Sequence, residues 1–227
     1  MAISIDSVYQ KVLAFANKEQ RGYITPQEFN LFANQAQKEI FEQYFYDLNQ
    51  FSRVPGNSSE YSDVIDNINE KIALFETTGT GLTLAVDLYR LGTVYTKPSA
   101  ASTMTLEVEE VQPNELLYMN HSAISKPHIR RRVYVRKANS IQITPTASTT
   151  VNYTYTRLPK KPIWGYVVIG TKALYDNDTS VNFELHPAEE TELVYKILKY
   201  AGLSMKRDDI AKGGQGLESL LTQQEKK

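Results

Sequence analysis

The chain has 227 residues, 41% of them hydrophobic, with a formal net charge of -1 and no cysteine. That length supports one large domain or two small ones with a real core, and the near-neutral balance gives no global pull toward nucleic acid or a membrane. Absent thiols exclude a disulfide framework, a thiol nucleophile and a thiolate metal site.

The start, M-A-I-S-I-D-S-V-Y-Q, has neither the basic segment nor the apolar run of a signal peptide, and no stretch approaches the roughly 20 apolar residues of a membrane span. Val8, Val12, Phe15 and Ala16 recur at helical spacing behind Ser4 or Asp6 as a cap, predicting a first helix over roughly 6–20. In K-E-Q-R-G-Y-I-T-P-Q-E-F-N, Lys18 to Asn30, a glycine, an isoleucine and a glutamate fall at the spacing of the second half of an EF-hand loop. Setting Gly22 at the sixth place puts Arg21 at the fifth, and an arginine cannot ligate calcium. The stretch reads instead as punctuation. Gly22 ends one helix, Thr25 caps the next, Pro26 occupies its first turn and Glu28 completes a capping box.

That second helix, from Pro26 to about Gln50, carries Phe29, Ala33, Ala36, Ile40, Tyr44 and Leu48 on one stripe, flanked by Phe32, Phe41 and Phe45. So wide a face packs against more than one partner. Val54-Pro55-Gly56-Asn57 marks a turn, Asn57 and Glu60 a second capping box, and Tyr61, Val64/Ile65, Ile68, Ile72 and Phe75 a third helix.

At Thr77-Thr78-Gly79-Thr80-Gly81 the period changes from helical to alternating. Strands are predicted at Leu82–Asp87, Thr93–Lys97, Thr103–Glu109, Arg131–Lys137, Ser140–Pro145, Val151–Arg157 and Tyr166–Ile169, with a helical turn or loop over Pro113–Asn120. Pro187 then opens a helix with Leu193, Val194, Ile197, Leu198 and Ala201 on its apolar side, stopped by Gly202. The polar stretch from Ser204 to Lys227, anchored by Ile210, Leu217, Leu220 and Leu221, reads as a docking helix or an arm that orders on a partner, with Gly213, Gly214 and Gly216 as a flexible joint. Segregated runs of helices and strands argue an α+β fold: a helical part over 1–80, an inserted β-rich domain over 81–170, and a C-terminal helix and arm over 171–227.

Motifs of catalysis are missing. His121, His128 and His186 lack metal-ligand spacing, there is no nucleophile elbow, and the glycines of A-K-G-G-Q-G follow a helical stretch where a phosphate cradle needs a strand. The chain is therefore read as a non-enzyme without cofactor or metal. One charge feature stands out, K-P-H-I-R-R-R-V-Y-V-R-K from Lys126 to Lys137. On a strand, Arg130, Arg132, Tyr134 and Arg136 share one face, which together with Lys137 could track a phosphate backbone. Pairing with the acidic run from Glu107 to Glu115, within the chain or across subunits, ranks above nucleic acid because the whole chain is not basic.

The N-terminal K-E-Q-R-G-Y-I-T-P-Q-E-F-N-L-F-A-N-Q-A-Q-K-E-I-F resembles a segment of structural proteins from marine and crAss-like short-tailed bacteriophages. V-N-Y-T-Y-T-R-L-P-K-K-P-I-W, followed by N-F-E-L-H-P-A-E-E-T-E-L-V-Y-K-I-L-K-Y-A-G-L-S-M-K-R-D-D, is similar to the ends of phage head-to-tail adaptor proteins. The resemblance touches both ends and the layout between them. It implies a virion protein, made in the host cytoplasm, that forms a ring beneath the portal, commonly matching the portal in subunit number and hence a dodecamer. The partners it implies are further copies of itself, the portal, an adjacent adaptor or tail protein, and double-stranded DNA passing through the channel, but no membrane. It also suits Leu217, Leu220 and Leu221 as part of an assembly arm. A β unit longer than a minimal adaptor needs leaves open a ring further down the tail. Two rival classes stand beside this one: a tail-associated β-domain binding module recognising glycans through its tyrosines, and a nucleic-acid-binding protein using the Arg130–Arg136 strand.

Overall fold

The computed structural model describes residues 3–16, 24–52, 59–147, 150–170, 172–204 and 208–225. The fold is α+β, and the chain divides into two compact units, a helical one made of Met1–Leu74 with Pro159–Lys227, and a β unit, Phe75–Leu158, inserted between those halves.

The helical unit begins with α1 (Ile5–Ala16), α2 (Pro26–Ser52) and α3 (Ser59–Ala73). The predicted capping box is present: Thr25 Oγ1 accepts from the Glu28 N–H at 3.3 Å, and the Glu28 carboxylate accepts from the Thr25 N–H at 3.0 Å and hydroxyl at 2.8 Å. Those bonds hold the Glu28 carboxyl below its usual range. Ala33, Ala36, Ile40, Phe41, Tyr44 and Phe45 are all buried, and α2 packs on both α3 and α5 (Glu190–Ser204), as so wide an apolar face requires. Gln37, buried in that face, donates to the Lys160 carbonyl at 2.7 Å and accepts from the Glu184 N–H at 3.1 Å, tying the returning chain to α2. One turn of 3-10 helix, Pro187–Glu189, leads into α5, which runs through Gly202 to Ser204. Gly202 therefore does not stop the helix; it is buried within it. The Gly22 cap, the Val54–Asn57 turn and the Asn57 cap lie outside the described residues.

In the β unit the strands are β1 (Glu76–Thr80), β2 (Leu88–Thr96), β3 (Leu106–Glu110), β4 (Val133–Lys137), β5 (Ser140–Thr144) and β6 (Val151–Arg157), in the order β1-β6-β2-β3-β4-β5. The predicted strand Leu82–Asp87 is instead a bent segment that closes this sheet: the Leu84 N–H donates to the Asn139 carbonyl at 2.9 Å and the Ile141 N–H to the Leu82 carbonyl at 2.8 Å. Gly81, with φ of 98°, makes the corner. Tyr153 fills the closed interior with Val94, Val108, Tyr134, Ile141 and Val151. Its ring lies where a Cβ on Gly79 would fall, 2.4 Å away, which is why β1 carries glycine there. Gln112 precedes a true helix, α4 (Pro113–His121), whose Leu116 and Met119 pack on Val111, Val133 and Val135. Because β1 and β6 are neighbours, the chain enters and leaves the β unit side by side, which is what insertion into another unit needs.

The insertion limits thus fall at 75 and 158 rather than 81 and 170. β1 joins the sheet through β6, whereas among the described residues β7 (Tyr166–Ile169) pairs with β8 (Lys172–Tyr175) alone and belongs to the helical unit.

Candidate assembly surfaces

The basic run does not present one charged face. β4 begins only at Val133, and it is covered on both sides: Val133 and Val135 face α4, while Tyr134 faces the closed interior. Arg132, on the Tyr134 side, is buried and donates to the Lys97 carbonyl at 2.9 Å. Arg130 lies in a turn, where its N–H donates to His128 Nδ1 at 3.2 Å, and only Arg130, Arg136 and Lys137 of the proposed contacts are exposed. A single shared face for Arg130, Arg132 and Arg136 is therefore corrected by the double-sided burial of the strand.

What the run does meet is the acidic segment. β3 and β4 pair in parallel, Glu109 opposite Val133 and Glu110 opposite Tyr134. Arg131 reaches Glu109 at 3.6 Å, an exposed pair of small energetic weight, and the Tyr134 hydroxyl donates to Glu110 at 3.1 Å. Burial, with Glu110 alongside, pushes the Tyr134 hydroxyl up to about 12. Glu107, Glu109, Glu110 and Arg130 to Arg132 line a polar cleft of about 490 Å³ in which opposite charges face one another. Such a surface is balanced, not phosphate-seeking.

The C-terminal stretch is α6 (Asp208–Glu225), and the three glycines lie inside it. The joint reading is thus corrected: a Cβ on Gly214 would meet the Lys199 backbone N at 3.0 Å and the Tyr195 carbonyl at 3.1 Å, so glycine lets α6 approach α5 closely. Glu218 then accepts from Lys196 at 2.6 Å and Lys199 at 3.0 Å, and Glu192 holds the buried Lys196 from its other side at 3.3 Å. Burial alone raises the Glu218 carboxyl, but the two lysines outweigh it and the net direction is down. Leu217 and Leu220 are exposed and Leu221 is half-buried, so none of the three belongs to the core.

Elsewhere, His186 caps the 3-10 turn, accepting from the Ala188 N–H at 3.3 Å. A cavity of about 170 Å³ between α2, α3 and the start of α5 holds the Lys71–Glu189 pair at 2.5 Å, and it falls well short of the ~300 Å³ of ordinary ligand pockets. Among the described residues no group of three or more His, Asp or Glu side chains could hold a metal, and no helix is long and apolar enough to cross a membrane. The signals that sequence reading missed were the Gly214 contact and the Glu218 spacing to the α5 lysines, legible only once two helices are known to pack. Neither protein-family models nor curated proteins match this chain.

Proposed function

We propose that this chain is a virion structural protein that forms a ring at the head-to-tail junction of a short-tailed bacteriophage, joining portal to tail. One observation carries it: a helical unit interrupted by a self-closed β unit whose entry and exit strands are neighbours, which is the layout that the phage-like segments at both ends imply. In this reading the helical units stand side by side around a channel, and the β units and C-terminal helices meet the adjacent rings. Burial of Arg132 and the Arg131–Glu109 pair weigh against a phosphate-tracking strand, and burial of Tyr134, Tyr153 and Tyr155 removes them from any glycan platform. Negative-stain images and the mass distribution of the purified protein test the proposal. Closed rings of uniform size are expected, alone or on addition of portal; a monomer under both conditions overturns it.

A further inference from the structure

The ribbon β7–β8 carries exposed apolar residues on a sheet with no third strand among the described residues. Its base is fixed. Trp164, the chain's single tryptophan, donates from Nε1 to Asp6 at 3.0 Å, and its main chain is held by the Asn30 side-chain amide: the Trp164 N–H donates to Asn30 Oδ1 at 2.8 Å and the Trp164 carbonyl accepts from Asn30 Nδ2 at 3.3 Å. Tyr9 covers that indole at 4.3 Å, Tyr166 stacks on it at 5.9 Å and Tyr175 lies tilted against it at 5.7 Å. The Ile163–Val181 bridge and the bond from the Asp176 N–H to the Gly165 carbonyl at 2.9 Å close the root.

Beyond that root the ribbon is bare. Val167, Val168, Ile169 and Leu174 are 52%, 61%, 64% and 49% exposed, and they lie on both faces, since Val167 pairs with Leu174 and Val168 with Ala173. A two-stranded hairpin is marginal in water, and native proteins guard a free edge with charge, proline or a bulge. This ribbon has one charged residue, Lys172, no proline and an unbroken four-pair register. Among the described residues neither strand has a third neighbour.

We infer that the ribbon is the element through which copies of this chain join: the free edge of β7 in one copy pairs with the free edge of β8 in the next. This deepens the ring reading and rests on it. The occupant follows from the edges. β7 and β8 are antiparallel and both four residues long, so copies related by rotation about an axis along the strands bring β8 beside the next β7 in antiparallel sense. That head-to-tail contact satisfies both edges of every ribbon and closes as a ring, whereas a twofold contact joining like edges leaves one edge of each ribbon unpaired. A bilayer suits the ribbon less well. The aromatic residues are at its root rather than its tip, and Asp176 and Asp178 follow directly after Tyr175.

The absence of cysteine makes a direct test clean. Val168→Cys and Ala173→Cys variants of the full chain are prepared separately, mixed, allowed to reassemble and oxidised; Val167→Cys with Leu174→Cys samples the other face. Disulfide-linked dimers are expected from a β7 variant mixed with a β8 variant and not from either alone. Ile169→Lys is expected to reduce ring formation at least tenfold while leaving the unfolding temperature unchanged. Dimers from a single variant alone mean like-edge pairing and overturn the head-to-tail contact. Rings that form without any cross-link in either mixture, and that tolerate Ile169→Lys, overturn this inference while leaving the ring reading intact. No rings and no cross-links overturn both.

Discussion

In the six-stranded sheet of the β unit the β5 edge is met by the segment 82–84, whereas among the described residues the ribbon β7–β8 has no further strand on either edge and carries apolar residues on both faces. Both are built of short strands rich in valine, isoleucine and tyrosine, so composition does not separate them. Closure does: the first sheet buries its apolar side chains around Tyr153, and the second buries only its root, around Trp164. A sheet curled around its own core is architecture, and one held at its base with no further strand among the described residues is where the inferred contact between copies would form.

The largest effect is expected where the closed sheet depends on one ring. Tyr153 is almost fully buried, and its hydroxyl donates to the Thr83 carbonyl at 3.2 Å and accepts from the Ala85 N–H at 3.1 Å, fastening the closing segment. Tyr153→Ala should destabilise the protein by about 3–5 kcal/mol, read by denaturant unfolding, and open the sheet at 82–84. A loss below about 1 kcal/mol would mean that closure does not hold this unit together.

A smaller loss is expected at the charged fastening of α6. Glu218→Gln keeps the shape but weakens two charge-assisted bonds, a change of about 1.5–3 kcal/mol in the docking of α6 on α5. The same network fixes a pH window. The Glu218 carboxyl is lower in the folded chain, so its stabilisation is present above the unfolded value near ~4.3 and is lost as pH falls through the folded one. The Lys196 ammonium is raised despite its burial, so its share is complete below the unfolded value near ~10.4 and disappears as pH rises through the folded one. The protection factors of α6 amides, taken relative to intrinsic exchange at each pH, should fall at both ends of that window, and flat protection factors across it would contradict it.

Thr25→Ala removes the cap of α2, the helix whose Asn30 binds the ribbon root, and should cost about 1 kcal/mol without a change of fold. Unchanged thermal unfolding would place the helix start elsewhere. The smallest stability effect belongs to the ribbon itself. Ile169→Thr should alter monomer stability by less than about 0.5 kcal/mol, as exposed positions do, and still weaken self-association. A large stability loss there would make the ribbon part of the core and erase the contrast between the two sheets.

Helices α1, α2, α3 and α5 are legible because their apolar residues repeat at 3.6, and the Thr25–Glu28 box because both partners lie in one short stretch. Strands β6 and β7 follow their β-branched and aromatic runs to the residue. β1, E-T-T-G-T, is not among the predicted strands because its glycine has a reason that lies far along the chain: Gly79 makes room for Tyr153. β8, K-A-L-Y, has no clear alternation, since neither of its faces is the inside of anything. The basic run misled for the opposite reason: alternation assigns two faces but not their surroundings, and here both are covered. Gly214 read as part of a joint because its reason, close approach to α5, lies in a helix pair rather than in local pattern, whereas Gly213 and Gly216 have open space where a Cβ would fall.

Amide hydrogen exchange of β7 and β8, compared between assembled and dilute dissociated protein, tests the open-edge contrast most directly. Amides of Tyr166–Ile169 and Lys172–Tyr175 should become strongly protected on assembly, while those of β1 to β6 stay as they were. Equal exchange of the ribbon in both states, with rings present, would contradict it.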